Sequence, residues 1–416
     1  MSDIAIIWDW LAFAVRWLHV ITAMAWIGTS FYFIALDLGL RRSPELLDGV
    51  DGEEWQVHGG GFYHVQKYRV APVHMPEHLI WFKWESYMTW ISGAALLMVV
   101  YWAGAELYLI DPAKADLTIM TAILISAGSL TVGWIIYDVL CKSQLGRYPT
   151  MLMILLFGLL VLMAWGYDQI FTGRAALLHL GAFTATIMTA NVFFIIMPNQ
   201  KIVVNNLISG QVPDAKYGKI AKLRSTHNNY LTLPVIFLML SNHYPLAFAS
   251  EYNWLIAGLI FLMGVTIRHY FNTIHSGAGN PRWTWLVTAL LFLLIMWLST
   301  ASLSQSPQQD AVLTQKQEIF ATTDGFEEVY DIITGRCSMC HAREPVYEGI
   351  HYAPKYVFLE TQADVTAQAN AIFIQSGITH AMPPANITWM EKAERKKIQN
   401  WFRTASEKMS VTMRLN

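Results

Sequence analysis

The chain has 416 residues, of which 54% are hydrophobic and 14% charged, and its net charge is -2. Soluble domains are about a quarter charged, so this composition excludes an ordinary soluble protein and predicts a multi-pass membrane protein in contact with lipid. A charge so close to zero argues against a nucleic-acid partner. Because Asp3 and Asp9 stand where a basic segment would be needed, we expect no cleavable signal peptide and a first span that acts as the targeting signal.

Runs of about 20 apolar residues are long enough to cross a bilayer. The sequence has eight such runs, which predict an all-α bundle of about eight transmembrane helices: 10–36, 80–103, 117–140, 150–167, 175–197, 230–249, 253–273 and 283–303. Lysine and arginine concentrate in the segments that follow the first, third, fifth and seventh runs. By the positive-inside rule these segments are cytoplasmic, so both termini lie on the other side of the membrane. We therefore expect a protein of the bacterial inner membrane with both termini in the periplasm.

His19 and His179 lie inside predicted spans, where ionisable side chains are costly and usually functional. His19 is in the first span and His179 in the fifth, and both descend from the outer side to a similar depth. Facing helices can hold haem between them, which makes this pair a candidate for a b-type haem. The alternative is that each is a hydrogen-bonded structural histidine.

Polar side chains also converge on the predicted cytoplasmic ends of three spans. They are His74, His78, Lys83 and Glu85 near the second span, His227, Asn228 and Asn229 near the sixth, and His269 and His275 at the end of the seventh. This convergence predicts a functional pocket, although helix ends at an interface also collect such residues. Residues 53–58 and 62–68, separated by glycines 59–61, predict a β-hairpin that caps the inner mouth.

The segment after the last span has ordinary polarity, and we divide the chain into a membrane domain (1–303), a linker (304–323) and a C-terminal domain (324–416). In that domain, Cys337, Cys340 and His341 form a C-x-x-C-H motif. This spacing predicts one covalent haem c with His341 as a ligand of the iron. A redox dithiol or half of a zinc site is the alternative, but Cys141 is the single other cysteine.

The order of elements in this domain is typical of a small class I cytochrome c. A helix over 325–335 runs into the motif, Met382 precedes two prolines, and an amphipathic helix over 388–404 closes the chain. Met382 is therefore the candidate for the second axial ligand, with His380 as a weaker rival. A methionine ligand raises the haem potential, so this domain would accept electrons from elsewhere.

Six strings of the chain resemble the bacterial membrane-bound, cytochrome c-linked urate oxidase (urate hydroxylase) family. They are LHV at 18–20, AWIG at 25–28, WQVHGGGFY at 55–63, HMPEH at 74–78, STHNNY at 225–230 and SNHYP at 241–245. The resemblance implies oxidation of urate to 5-hydroxyisourate in purine catabolism. Electrons would leave through haem c to a respiratory cytochrome c or terminal oxidase, without forming hydrogen peroxide. The first string also resembles the first helix of the bacterial haem-binding protoporphyrinogen oxidase, which implies haem ligation by His19.

Urate is a planar anion, so its site should offer a cation, amides, an aromatic face and a base. From the cytoplasmic cluster we take His74, His78 or His227 as the base, with Arg69 or Lys83 as the cation. The amides would be Asn228 and Asn229, and the stacking surface Trp81 or Trp84. A site there would be about 30 Å of hydrocarbon away from haem c, which requires an intermediate haem b or a urate site in the outer half.

Two other functions share some of these features. A membrane quinol-oxidising cytochrome subunit would have the same topology and the same haem motif without urate chemistry. A transporter with a fused redox sensor would need inverted repeats or broken spans, and neither stands out in the sequence.

Overall fold

The computed structural model describes residues 2–68, 72, 75–301, 313–350 and 352–415. As predicted, this part of the chain is mostly helical. Close contacts divide the chain into two compact units. Val15–Asn242 and Leu246–Ser304 form the first, which we call the helical unit, and Met1–Ala14, His243–Pro245 and Gln305–Asn416 form the second, the C-terminal unit.

The first eleven helices and both strands precede residue 302. They are α1 (Ser2–Gly39), β1 (Val50–His58), β2 (Gly61–Tyr68), α2 (Trp84–Leu96), α3 (Ala105–Tyr108), α4 (Ile119–Lys142), α5 (Pro149–Ile170), α6 (Gly173–Ala190), α7 (Met197–Ile208), α8 (Ala215–Ser241), α9 (Pro245–Phe248), α10 (Asn253–His275) and α11 (Trp283–Ala301). A π-helical turn, Leu97–Trp102, extends α2, and another, Asn191–Ile196, joins α6 to α7.

Six helical stretches in the described residues are long and apolar enough to cross a membrane: Ile6–Gly39, Ile119–Lys142, Pro149–Ile170, Gly173–Ile208, Asn253–His275 and Trp283–Thr300. Each coincides with a predicted span. The predicted spans at 80–103 and 230–249 are not among them, so a total of eight remains a prediction. The first of the two is divided between α2 and its π-helical turn, and the second falls in α8, whose first half is strongly polar.

The centre of the helical unit is α6, which packs against α4, α5, α8 and α10. The apolar window of Gly173–Ile208 is 67% buried, against at most 39% in the other five stretches. Close packing with α4 depends on Gly133, because an alanine methyl group there would lie 1.9 Å from Cε2 of Phe183. Gly128, earlier on α4, has open space at the same position.

The predicted hairpin is confirmed. Strands β1 and β2 are antiparallel and are joined by Gly59 and Gly60, whose φ angles of 58° and 82° suit the two-residue turn that matches strand twist. Trp55 pairs with His64 across the strands, and their rings stack with centroids 4.2 Å apart. The hairpin contacts α1 at two levels, since Tyr32 donates to Gln56 at 2.7 Å and Lys67 pairs with Asp37 at 2.5 Å.

The C-terminal unit is a separate small helical fold. Its helices are α12 (Gln315–Ala321), α13 (Phe326–Arg336), α14 (Ser338–His341), α15 (Gln362–Ala367), α16 (Ala369–Ile372) and α17 (Lys392–Leu415). Trp401 of α17 is fully buried against Phe320 of α12, and its indole nitrogen donates a hydrogen bond to the Phe320 carbonyl at 3.0 Å. The core is thus closed between the first and last helices of the unit.

Two boundaries predicted for this unit differ from the structure. Part of the predicted linker forms α12, which begins with a capping box between Thr314 and Gln317 and places Phe320 in the core. The predicted closing helix begins at Lys392 instead of residue 388, because Trp389 has a left-handed φ of 58° that a helix cannot include. The helix after 325, which runs into the C-x-x-C-H motif, is confirmed as α13.

Candidate functional site

A cavity of about 1100 Å³ lies at one end of the helical unit. Its wall comes from the C-terminal ends of α1 and α10, from α7, from the first half of α8, and from the base of the β-hairpin. In the predicted topology this is the cytoplasmic end of the bundle. The cavity is large enough for a bicyclic ligand, since small-molecule sites typically enclose about 300–1,000 Å³.

Three basic side chains line this cavity, and two of them are neutralised. Arg42 is 3.2 Å from the Asp51 carboxylate, and Lys67 is 2.5 Å from that of Asp37. Lys222 on α8 also lines the wall, and no described carboxylate lies within salt-bridge distance of it. Among the described wall residues, Lys222 is therefore the cation that no carboxylate neutralises.

Hydrogen-bonding and aromatic groups surround this cation. Asn229, one of the wall residues, is only 3% exposed, and its Oδ1 has no hydrogen-bond partner among the described residues. Trp81 and Tyr230 add aromatic surface, and His269 from α10 adds an imidazole. A planar anion that carries both N–H and C=O groups suits this part of the wall. The described residues offer it an ammonium group, a buried amide oxygen, aromatic rings and an imidazole.

The wall contains a stripe that the sequence analysis overlooked. Lys222, Thr226 and Asn229 follow one another at i, i+4 and i+7 on α8, so they lie on one helix face. The helical period of these polar residues was a visible signal, but the sequence does not show which face of α8 meets the cavity.

The structure separates the predicted cytoplasmic cluster. Trp81, Asn229 and His269 do line the cavity. His78 is exposed and does not belong to the described wall. The predicted residues His74 and Arg69 lie outside the described residues.

The predicted cation and its neighbour also lie apart from the cavity. The Lys83 ammonium group is 5.6 Å from the ring centroid of Trp84, which is 61% exposed. Neither residue is part of the described wall. A role for Lys83 in binding an anion in this cavity has no support from these contacts.

His227 and Asn228 are directed into the bundle instead of the cavity. Nδ1 of His227 lies 2.8 Å from the Tyr137 hydroxyl, and Asn228 donates to the Met188 carbonyl at 3.0 Å. Asn191 donates to both Tyr137 and Asn228, at 3.0 and 3.1 Å. The two predicted site residues therefore belong to a buried polar network, and direct contact with substrate remains only a prediction for them.

A buried ion pair completes this network. Arg224 donates to Asp138 at 2.6 Å and to Asn191 at 3.3 Å, and its side chain is only 2% exposed. Lys142 also reaches Asp138, at 2.6 Å. Each carboxylate oxygen of Asp138 has a cationic partner, and both terminal nitrogens of Arg224 donate hydrogen bonds. The ion pair can therefore be tolerated at this depth. The network fixes α8 against α4 and the π-helical turn, and thereby the orientation of the Lys222 face.

The two histidines proposed to share haem b have different surroundings. Nδ1 of His19 lies 3.0 Å from the Thr89 carbonyl and 3.1 Å from Oγ of Ser92, and Gly93 packs so close that an added methyl group would be 3.0 Å from the imidazole. One nitrogen is thus held by a backbone acceptor while Nε2 is left for another partner, which is the usual arrangement of a metal-bound histidine. His19 fits the role of a haem ligand.

His179 has hydrogen-bond partners on both ring nitrogens. Its Nδ1 lies 2.8 Å from the Ala175 carbonyl and its Nε2 lies 2.7 Å from Oγ of Ser126, so both ring nitrogens already have partners. The ring is fully buried among aromatic side chains, with Phe171 closest at 4.9 Å between centroids. These contacts favour the alternative, a hydrogen-bonded structural histidine, and haem ligation by His179 stays a prediction.

In the C-x-x-C-H segment the imidazole of His341 is oriented by a backbone hydrogen bond. Nδ1 of His341 donates to the Val357 carbonyl at 2.9 Å, which leaves Nε2 free to ligate iron. Cys337 is buried and Cys340 is partly buried, and burial raises the pKa of both thiols, that of Cys337 to about 12. No cluster of three or more metal-binding side chains occurs in the described residues.

Met382 is half-buried in the loop after α16. Its amide donates to the Gln375 carbonyl at 2.9 Å, and its own carbonyl accepts a hydrogen bond from Arg395 at 2.9 Å. The rival ligand His380 is exposed. Hydrogen bonds therefore hold the backbone of Met382 in place. In the same unit, Nε2 of His341 has no partner among the described residues, so these two side chains suit a haem with His and Met ligands.

Comparison with known proteins gives one similarity. Residues 5–299 match the family model described as Urate oxidase N-terminal. This stretch includes every residue of the described cavity wall. Neither the curated proteins nor the solved structures that were searched contain a match to the chain.

Proposed function

The chain belongs to the urate oxidase N-terminal family, and on this basis we propose that it is a membrane oxidoreductase that converts urate to 5-hydroxyisourate. The observation that carries the proposal is the family match over residues 5–299, the part of the chain that contains the cavity. The match suggests action on urate. We propose in addition that electrons leave through haem c and that the protein lies in a membrane.

The reaction needs an electron acceptor. Urate and water give 5-hydroxyisourate, two protons and two electrons, with the new C–O bond formed at C5 of the purine ring. Haem c, held by Cys337, Cys340, His341 and Met382, supplies a one-electron acceptor when it is bound. Electrons then pass to a respiratory cytochrome c or terminal oxidase, so that oxygen is not reduced to hydrogen peroxide at this protein.

We place urate in the cavity. Lys222 binds its negative charge, because the other two cations of the wall are already paired with carboxylates. The orphaned oxygen of Asn229 accepts a hydrogen bond from a ring N–H, and Trp81 provides a face for stacking. His269 is the base that takes a proton as electrons leave, because it lines the described wall, whereas His78 is exposed and His227 is directed into the bundle.

The proposed location is the bacterial inner membrane, with the cavity on the cytoplasmic side and the haem c unit in the periplasm. The six long apolar helices and the distribution of basic residues support this arrangement. Electrons must then cross about 30 Å of hydrocarbon. We propose that His19 ligates a haem b on this path, since its Nε2 is left free by the contacts of Nδ1.

The test is anaerobic reduction of the oxidised, purified protein by urate. We expect the haem c absorption band of the ferrous form to appear and 5-hydroxyisourate to accumulate, with two electrons delivered per urate. In air, an assay for hydrogen peroxide should remain negative while urate is consumed in the presence of an electron acceptor. Failure of urate to reduce haem c refutes the proposal, and reduction by a quinol but not by urate would identify a quinol-oxidising subunit instead.

A further inference from the structure

Arg395, on the first turns of α17, is a buried cation whose described partners are all neutral. Its side chain is 5% exposed. Nη1 donates to the carbonyls of Ser376 and Met382 at 2.7 and 2.9 Å, and Nη2 donates to Oδ1 of Asn386 at 3.0 Å. Among the described residues, no carboxylate lies within salt-bridge distance of it. Burying a charged guanidinium among neutral hydrogen-bond acceptors costs free energy, so packing alone does not account for an arginine at this position.

All three acceptors lie on the segment that carries Met382. Ser376 precedes the methionine, Met382 contributes its own carbonyl, and Asn386 follows it. Asn386 in turn accepts from the Met390 amide at 3.0 Å and donates to the Met390 carbonyl at 3.1 Å. One rigid guanidinium therefore fixes the segment before, at and after the thioether.

The residue before Arg395 makes the matching contacts on the other ligand segment. Oε1 of Glu394 accepts hydrogen bonds from Nε and Nη2 of Arg336 at 3.1 and 3.0 Å, and Arg336 also donates to the Thr388 carbonyl at 2.9 Å. Arg336 directly precedes Cys337. The contact between Glu394 and Arg336 therefore ties α17 to the C-x-x-C-H segment.

We propose that the Glu394–Arg395 pair is a brace that holds the two haem-ligating segments in place, and that Arg395 is the positioning residue that keeps Met382 on the iron. This inference rests on the haem c attachment in the proposed function, but not on urate as the substrate. Glu394 anchors the C-x-x-C-H side through Arg336, while Arg395 anchors the methionine side directly.

The brace has a consequence for the redox equilibrium. A thioether ligand favours the reduced iron, and a nearby uncompensated positive charge acts in the same direction. Removal of Arg395 should therefore shift the haem toward the oxidised form. We expect the ratio of reduced to oxidised haem at a fixed applied potential to fall at least tenfold, which corresponds to 59 mV for a one-electron couple.

The experiment uses the full-length protein with haem attached. Arg395→Gln should lose the ferric methionine–iron charge-transfer absorption and show the tenfold shift in a redox titration. Arg395→Lys keeps the charge but not the planar fork, so it should also lose that absorption. Lys397→Gln, which removes a half-exposed cation on α17 that pairs with Glu328 at 3.0 Å, is the matched control and should change neither quantity.

A double-mutant comparison separates positioning from a simple charge effect. In a Met382→Ala background, Arg395→Gln should shift the reduced-to-oxidised ratio less than threefold, because the ligand it positions is already gone. An equal shift in both backgrounds, or an unchanged methionine absorption in Arg395→Gln, overturns the proposal. If Arg395→Gln does not accumulate, Arg395→Lys takes its place, and an unchanged methionine absorption in that protein overturns the proposal. Absence of covalent haem in the wild-type protein would instead refute the proposed function.

Discussion

Removal of the Lys222 charge tests the placement of urate in the cavity. Lys222→Met keeps most of the aliphatic stem and deletes the one wall cation without a described carboxylate partner. Two unit charges about 4 Å apart attract by about 1 kcal/mol in bulk water and about 4 kcal/mol at an effective dielectric constant near 20. Because the cavity is open to solvent, we expect a loss of about 1–3 kcal/mol, equivalent to roughly 5- to 150-fold weaker binding.

The measurement is the initial rate of anaerobic haem c reduction as a function of urate concentration. We expect the KM for urate to rise by this factor while kcat changes little, since the charge binds ground state and transition state alike. The wild-type KM should increase with added salt, and the Lys222→Met protein should show less of this dependence. Lys219→Met is the matched control, because Lys219 is on the same helix but is not part of the described wall.

Two results would refute this placement. An unchanged KM in Lys222→Met would show that the ammonium group does not contact the substrate. An equal rise in Lys222→Met and Lys219→Met would point to a general surface-charge effect on the approach of the anion. A fall in kcat together with normal binding would move Lys222 from binding to chemistry.

Three further predictions use the same protein. Gly133→Ala should lower the thermal unfolding temperature in detergent, because overpacking costs about 1–3 kcal/mol. Gly128→Ala, where an added methyl group meets open space, should leave that temperature unchanged or raise it. Equal effects of the two substitutions would contradict the close packing of α4 against α6. In a pyridine haemochrome assay, His19→Ala should reduce the ratio of haem b to haem c and His179→Gln should not, so loss of haem b in His179→Gln would reverse our assignment. After denaturation, alkylation followed by mass spectrometry should label Cys141 alone, because thioether bonds block the other two cysteines; labelling of all three would exclude covalent haem.

Local sequence patterns were sufficient for several elements. Six of the predicted spans are long apolar helices, because a run of about 20 apolar residues specifies such a helix regardless of what lies beside it. The hairpin follows from Gly59 and Gly60, which readily adopt the left-handed φ angles of its turn. The helix before Cys337 was likewise predictable from its own pattern.

Patterns that depend on remote partners were predicted less well. Helix α12 was missed because its stretch is polar apart from Phe320 and Ile319, and it is held by the contact of Phe320 with Trp401 far along the chain. The start of α17 depends on the left-handed backbone at Trp389, which the amphipathic pattern does not reveal.

The sequence by itself determined the family, the long apolar helices and the haem-attachment motif, because each is encoded in a continuous run of residues. Only the tertiary structure decided which polar side chains belong together. His227 and Lys222 are five residues apart on α8, yet one enters the buried network and the other the cavity wall, since helix rotation sends them to different faces. The structure likewise shows that both ring nitrogens of His179 have hydrogen-bond partners, on Ser126 and Ala175, which the sequence does not reveal.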